Sequence, residues 1–542
     1  MTEERYTNPV LPADWSDPDV IRVGADFYLT ASSFGRAPGL PLLHSLDLVH
    51  WRFVGHALTT LEPAEVYAEP RPDCGVWAPA LRHHAGRFWI FWGDPDHGIQ
   101  QVNAPAIDGP WSRPVTVKAG LGLIDPCPLW DDDGSAYLVH GWARSRSGVK
   151  NRLTLHRMSP DGRQLLDDGT LLIDGDRLPG WFTLEGPKLY RRDGWYWIFA
   201  PAGSVETGWQ GAFRSRRITG PYEERIVLAQ GATEVNGPHQ GAWVDTEDGT
   251  DWFLHFQQRG AFGRVAHLQP MRWAEDGWPV LGDEGQPVPG HRLPVPGQPV
   301  RHPATDDDFV GGRFGPQWSW QANPAPGWYE PHDGAGLRLV AAPSPVADDP
   351  RRQPSVLAQR LPIGPVTVDV ELTLRATAPG ARAGLLVLGD ACSWIGLERA
   401  ADGGVALVHR FAEPVAEAER DAAPPRPAPA GTARLRVTVT ADGRCAFLAA
   451  TPAEPGGADG AFVRSGPEFA AQPRRWVGAQ LGLFATAPET SAAAPAAPSS
   501  AAPADAAPDR PAPHHPDDPP GHAEFRAFRL AGPRRATGGT EH

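Results

Sequence analysis

Four cysteines occur in 542 residues, Cys74, Cys127, Cys392 and Cys445, far apart and with no C-x-x-C pair. Such spacing signals neither a zinc site nor a disulfide framework. Apolar runs are short: none approaches the ~20 residues of a membrane-spanning helix, so no membrane partner is expected. Basic residues are outnumbered, 50 against 64 acidic, for a net charge of −14, and no Lys/Arg stripe interrupts that balance. A chain of this charge is a poor ligand for nucleic acid. The first residues, MTEERYTNPV, hold no apolar segment for export, so the expected compartment is the cytoplasm. Nothing in the composition closes off a homo-oligomer.

Glycine and proline are abundant, 60 of each, which disfavours helices and suits short strands joined by turns. The length exceeds one ordinary hydrophobic core, so two domains are expected. Sixteen of the 21 tryptophans precede residue 300, which marks the N-terminal part as the aromatic one. That part repeats itself. SDPDVIRVGADFYLTAS from Ser16, WAPALRHHAGRFWIFWG from Trp77 and IDPCPLWDDDGSAYLVHG from Ile124 share one plan. LEGPKLYRRDGWYWIFAPAG from Leu184 and GPHQGAWVDTEDGTDWFLHFQQ from Gly237 follow it too. Each has a polar or aromatic residue near a Pro, a short strand, a turn and a second, aromatic strand.

Repeats of roughly 50–60 residues with period-2 strands predict four-stranded antiparallel blades. Five of them make a five-bladed β-propeller over residues 1–303. Lined up by chemical type, Asp17, Trp77, Asp125, Glu185 and His239 recur at intervals of 60, 48, 60 and 54 residues. First strands line a propeller's channel, so these side chains converge on one pocket. Converging carboxylates raise one another's pKa and cost stability, which points to a task rather than to packing. Trp89, Trp197 and Trp252 lie mid-strand and read as blade packing. Asp131, Asp132 and Asp133 read as a solvated hairpin turn.

After a Pro-rich connector, Gly285 to Asp308, the period disappears. VTVDVELTLRA from Val366, AGLLVLGD from Ala383, ARLRVTVTADGRCAFLAA from Ala433 and VGAQLGLFA from Val477 alternate apolar and polar residues. They predict an antiparallel β-sandwich over 304–535. AEPVAEAERDAAPPRPAPAG, from Ala412, reads as a long loop. The Ala/Pro-rich tract of about 487–520 lacks the apolar content to fold and reads as a disordered insertion, because EFRAFRL from Glu524 resumes a strand.

NPVLPADWSDPDVIRVGADFYLTASSF, HSLDLVHW, WAPALRHH, IDPCPLWDDDG, LEGPKLY and the HQG of GPHQGAW together resemble glycoside hydrolase family 43. The likeness is strongest to its two-domain exo-acting β-xylosidases, some of which act on arabinofuranosides. DDFVGGRFGPQWSWQANP, from Asp307, is similar to the start of that group's concanavalin-A-like sandwich. The resemblance implies hydrolysis with inversion by three carboxyl groups. Asp17 would be the general base, Glu185 the general acid, and Asp125 the group that orients the acid and tunes its pKa. Asp19 competes with Asp17 in SDPD, and the family pattern puts the base before the Pro. The implied substrate is a xylo-oligosaccharide cut at its non-reducing end, or an α-L-arabinofuranoside by the same mechanism. A non-catalytic carbohydrate-binding propeller is the alternative of another class.

The resemblance extends to further residues. Arg264 matches an arginine that clamps sugar hydroxyls near the acid, with a surface ion pair as the alternative. His239 corresponds to a central histidine that contacts a channel water or a calcium ion, with a packed neutral ring as the alternative. No cofactor is required; a structural or activating Ca²⁺ in the channel is the one ion the resemblance brings. Phe34, Trp77 and Trp142 follow or head inner strands and offer apolar walls for a sugar.

Overall fold

The computed structural model describes residues 4–450, 460–489 and 521–532. Nearly all of the tract read as an insertion lies outside the described residues. Five four-stranded antiparallel sheets take their strands consecutively from the chain. Blade 1 runs from Asp19–Val23 to Trp51–Leu58, blade 2 from Trp77–His84 to Val115–Ala119, and blade 3 from Leu123–Trp130 to Thr170–Asp174. Blade 4 runs from Lys188–Arg192 to Glu223–Ala229 and blade 5 from His239–Asp245 to Pro279–Leu281. The chain is a five-bladed β-propeller followed by a β-sandwich.

Blades pack face to face, so their second strands are covered on both sides. Arg87–Asp94, Trp195–Ala202 and Asp251–Gln258 are buried almost end to end. Their near-continuous aromatic sequences, where simple alternation was expected, follow from that double burial. The apolar area gathers in wedges between neighbouring blades. Leu29 and Trp252 share one wedge, Leu42 and Leu81 the next, and Phe91 and Leu138 a third. Leu153 with Ile198 and Phe199 with Phe253 complete the ring.

No blade shares a strand with another. The N-terminal segment closes the circle instead, with Arg5–Thr7 antiparallel to Gly290–Arg292. Asn8 Nδ2 donates to the carbonyls of Leu268 and Val288 at 2.8 and 2.9 Å, and its Oδ1 accepts from Leu268 N at 2.8 Å.

The sandwich stacks an eight-stranded sheet on a seven-stranded one. Val366–Leu374 and Thr432–Val439 alternate buried and open residues, as strands with one core face must. The last strand, His522–Ala531, pairs with Val366–Leu374 in the middle of its sheet. Asp307 knits the start of the domain: its carboxylate accepts from Phe309 N, Gly315 N and Trp318 Nε1, and its backbone bridges Phe528. The expected loop from Ala412 is partly a strand. Arg420–Pro427 pairs with Val405–Ala412 at the sheet's edge. Its prolines are tolerated there because an edge strand needs only half its N–H groups for pairing.

The two domains are joined by backbone as well as side chains. Ala37 and Trp320 exchange hydrogen bonds, Ile363 N donates to Pro12 O at 2.8 Å, and Ala479 N donates to Ala261 O at 2.7 Å. Asn323 clamps both backbone groups of Leu61 at 2.8 Å.

Candidate active site

Every blade begins its inner strand with the same backbone kink. Asp17, Ala78, Asp125, Gly186 and Gln240 have φ of 53°, 38°, 55°, 59° and 36°. The first four stand directly before a proline and the fifth before Gly241. Strand pairing skips at the same place, between Trp77 and Ala80, between Ile124 and Cys127, and between His239 and Gly241. Holding a non-glycine residue at positive φ costs on the order of 1 kcal/mol or more. The kink also corrects the alignment by chemical type. Trp77, Glu185 and His239 each stand one residue before the position that Asp17 and Asp125 occupy. Backbone geometry, rather than chemical type, fixes the register of the repeat.

The offset gives the carboxylates different surroundings. Asp17 is buried: Oδ1 accepts from Arg264 Nη1 at 2.8 Å and Oδ2 from Ser32 Oγ at 2.6 Å. Ser32 Oγ itself accepts from Ala78 N at 2.7 Å, so one hydroxyl ties the blade 1 carboxylate to the blade 2 kink. Asp125 is also buried, and its Oδ2 accepts from Gly186 N at 2.7 Å. It thereby holds the peptide that follows Glu185. A Cβ at Gly186 would lie 2.8 Å from the Gln240 side chain, which would have to shift to admit any other residue.

Glu185 alone among the three reaches outward, with 27 % of its side chain exposed. Its Oε1 lies 3.2 Å from Nε2 of His239, which is fully buried. Burial, then repulsion from Glu185 and Asp17, holds the Asp125 carboxyl well above the usual range. The raised group is thus Asp125 itself, the carboxyl whose charge was expected to act on Glu185. Charge is dearest where water is least accessible.

Arg264 is not at the surface. It is buried, it grips Asp17, and its Cζ lies 4.7 Å from the Phe256 ring centroid. Trp77 and Phe34 meet edge to face at 6.4 Å. Trp142 is anchored within blade 3, where its indole donates to Thr154 Oγ1 at 2.9 Å and packs beside His140.

The sandwich supplies a residue no inspection of the repeats could find. Trp476 lies 6.2 Å from Trp77, centroid to centroid, and 5.5 Å from the Arg264 guanidinium carbon. Its loop is pinned by Asp14, whose Oδ2 accepts from Gly478 N at 3.0 Å. Asp14 Oδ1 accepts from Arg264 N and Ser16 Oγ, both at 2.9 Å. One carboxylate therefore joins the sandwich loop, the arginine on Asp17 and the strand that carries Asp17.

Among the described residues no group of three or more His, Cys, Asp or Glu side chains is placed to hold a metal ion. Calcium takes six to eight oxygens, and at His239 the side chains would leave most of that sphere to water. A cavity of about 850 Å³ lies elsewhere, between the N-terminal segment, blade 1 and the sandwich near Ile363.

Residues 6–279 match the family described as glycosyl hydrolases family 43, and residues 306–497 match the beta xylosidase C-terminal concanavalin A-like domain. A putative beta-xylosidase of Xylanibacter ruminicola is 39% identical over 400 residues, 72% of either chain. A non-reducing end alpha-L-arabinofuranosidase of Bacteroides ovatus is 29% identical over 416 residues, 72% of this chain and 75% of that one. The crystal structure of a xylan beta-1,4-xylosidase from Bacillus halodurans superposes with a TM-score of 0.80 at 23% identity, over 97% of this chain and 99% of that one. On these matches the chain belongs to glycoside hydrolase family 43 and is a glycoside hydrolase with a concanavalin-A-like second domain.

Proposed function

We propose that the protein is an inverting exo-acting β-xylosidase that removes single xylose units from the non-reducing ends of β-1,4-xylooligosaccharides. The observation that carries this is the unequal exposure of three neighbouring carboxyl groups. Glu185 alone is open enough to reach a substrate oxygen, while Asp17 is held at its rear by Arg264 and Ser32. In this reading Glu185 protonates the departing oxygen as the glycosidic bond breaks. Asp17 takes a proton from water as that water attacks the anomeric carbon from the opposite face. Each carboxyl ends with the other's starting protonation, so solvent must reset both.

Asp125 serves as a positioning residue: its bond to Gly186 N fixes the backbone beside Glu185. Phe34, Trp77 and Trp476 give the sugar an apolar wall, and the sandwich loop beside them supports exo rather than endo attack. Trp142, paired with Leu123 at the head of blade 3, is a further candidate for that wall. His239 steadies Glu185. A channel calcium would be held by His239 with water as its other ligands, and no step is routed through it. We further propose the division of the chain at 303/304 and action in the cytoplasm on imported oligosaccharides. No helix among the described residues is long and apolar enough to cross a membrane. A homo-oligomer is compatible with this reading and not required by it.

A second reading changes only the sugar. The relative from Bacteroides ovatus bears an arabinofuranosidase name, and one pocket can serve both pentoses. Turnover of 4-nitrophenyl β-D-xyloside against the α-L-arabinofuranoside decides between them, and NMR of the first-formed anomer tests inversion. No turnover of either, with oligosaccharide binding retained, would mean a carbohydrate-binding propeller instead.

A further inference from the structure

Behind the Ser32 side chain, the propeller and the sandwich enclose a cavity of about 30 Å³. Blade 1 contributes Ser33, Arg36 and His56 to its wall, and the sandwich contributes Ser319, Arg360 and Gln480. A space of this size holds one or two waters or one halide ion, and excludes a sugar.

Charge around it does not balance. Arg36 is 9% exposed, and its Nη1 has no hydrogen-bond partner among the described residues. Arg360 donates Nε to the Asp14 carbonyl at 2.5 Å and stacks on Trp15 with Cζ 3.9 Å from the ring centroid. Neither contact supplies a negative charge. Arg474 brings a third buried guanidinium close enough to disfavour the charge on Arg36. Its Nη2 donates to Gln321 Oε1 and the Arg351 carbonyl, and its own charge is offset by Asp390, Asp73 and Asp349, which leaves Arg36 and Arg360 as the imbalance.

Asp14 is the single carboxylate in the wall, and both its oxygens already serve Ser16, Arg264 N and Gly478 N. Burial pushes Arg36 down to about 9 and Arg360 down to about 10. Both guanidinium groups still carry their charge at neutral pH. Asp14 acts on both arginines, so two buried cations share one counter-charge; that is costly, and a water molecule would satisfy Nη1 without neutralising it.

We propose that this junction binds one small monovalent inorganic anion, chloride being the available one, between Arg36 and Arg360. The ion completes the contact between the domains and stands independently of which sugar the enzyme cleaves. Its neighbour Ser32 is the hydroxyl that holds Asp17, so the ion sits one side chain from the catalytic centre.

Crystals grown in sodium bromide, with diffraction recorded at the bromine edge, should show an anomalous peak between Arg36 and Arg360. In solution, replacing gluconate by chloride at constant ionic strength should raise the melting midpoint by about 1–3 °C. Gluconate is too large for the cavity, so it serves as the control. Arg36→Gln should abolish the chloride response. Absence of the peak overturns the proposal, as does a chloride response that persists in Arg36→Gln. A peak without a chloride response would mean binding at crystal concentration only, and overturns it equally. If Arg36→Gln fails to fold, the wild-type bromide map and melting series decide together.

Discussion

The propeller and the sandwich bury their polar groups in opposite places. Between the two sheets of the sandwich lies one continuous apolar cluster, with Val368, Leu385, Ile395, Val437, Phe447 and Phe525 among its members. The propeller divides its apolar area among wedges between blades and leaves its axis polar. There Asp19 Oδ2 accepts from Leu81 N at 2.7 Å and Arg82 Nη1 at 2.9 Å, and Lys188 Nζ lies 3.5 Å away. Lys188, 2% exposed, also donates to the Pro79 carbonyl at 2.7 Å. A fold stabilised by five separate wedges does not depend on its centre for apolar contact. Charged groups can therefore converge there without dissolving the core. The sandwich has no such freedom, and it approaches the three carboxylates through the loop that carries Trp476.

That contrast breaks first at the carboxylates. Glu185→Gln and Asp17→Asn keep shape and remove charge, and each should lower kcat by about 10²–10⁴-fold. The melting midpoint of Glu185→Gln should stay near wild type, whereas Asp17→Asn leaves buried Arg264 without its counter-charge and should melt lower. The Glu185 variant should suffer least on aryl glycosides with acidic leaving groups, which need little protonation. Near-normal cleavage of xylobiose by Glu185→Gln would remove it from the role of acid.

The sandwich is tested next, through Asp14. Asp14→Ala releases Gly478, Arg264 N and Ser16 together, and small displacements at a reacting centre cost up to about 10²-fold. We expect kcat to fall about 10–100-fold with KM changing less, and Asp14→Asn to recover part of the loss. If Asp14→Ala lowers only the melting midpoint, the domain junction is structural and the sandwich is a passive neighbour. Trp476→Ala isolates the loop's own contact. Losing one aromatic face, worth about 0.5–1.5 kcal/mol, should raise KM about 3–10-fold with kcat nearly unchanged.

Much of this organisation was legible before any coordinates. Pro-headed polar positions and aromatic second strands repeat visibly, so blade number and the convergence of Asp17, Asp125 and Glu185 could be read directly. The register could not. Matching Asp with Glu by chemistry hid a backbone kink that treats Asp125 and Gly186 as the equivalent pair. Arg420–Pro427 was missed because proline-rich composition looks alike in a loop and at a sheet edge. Asp14 and Trp476 were out of reach for another reason: their roles exist only when residues more than 450 positions apart meet across a domain junction.

Asp125 offers the finest test, because its environment should show in stability as well as rate. Its folded carboxyl is raised above the ordinary value of about 3.9 by burial first and by Glu185 and Asp17 next. Between those two values the native state binds a proton that the unfolded chain has released. Stability therefore falls as pH rises from about 4 through the folded value, and the loss is complete above it. Asn at this position cannot ionise, and its Oδ1 can still accept from Gly186 N. Asp125→Asn should thus melt higher than wild type at pH 7, and the advantage should vanish as pH approaches 4. On the proposed assignment of Asp125 to the active site, activity should fall in the same variant even as stability rises. Thermal melts of both proteins from pH 4 to 8 measure the difference directly. A variant less stable than wild type at pH 7 would mean that Asp125 is held by favourable bonds that outweigh its burial. The polar axis would then be a source of stability, and the contrast with the sandwich would lie in geometry alone.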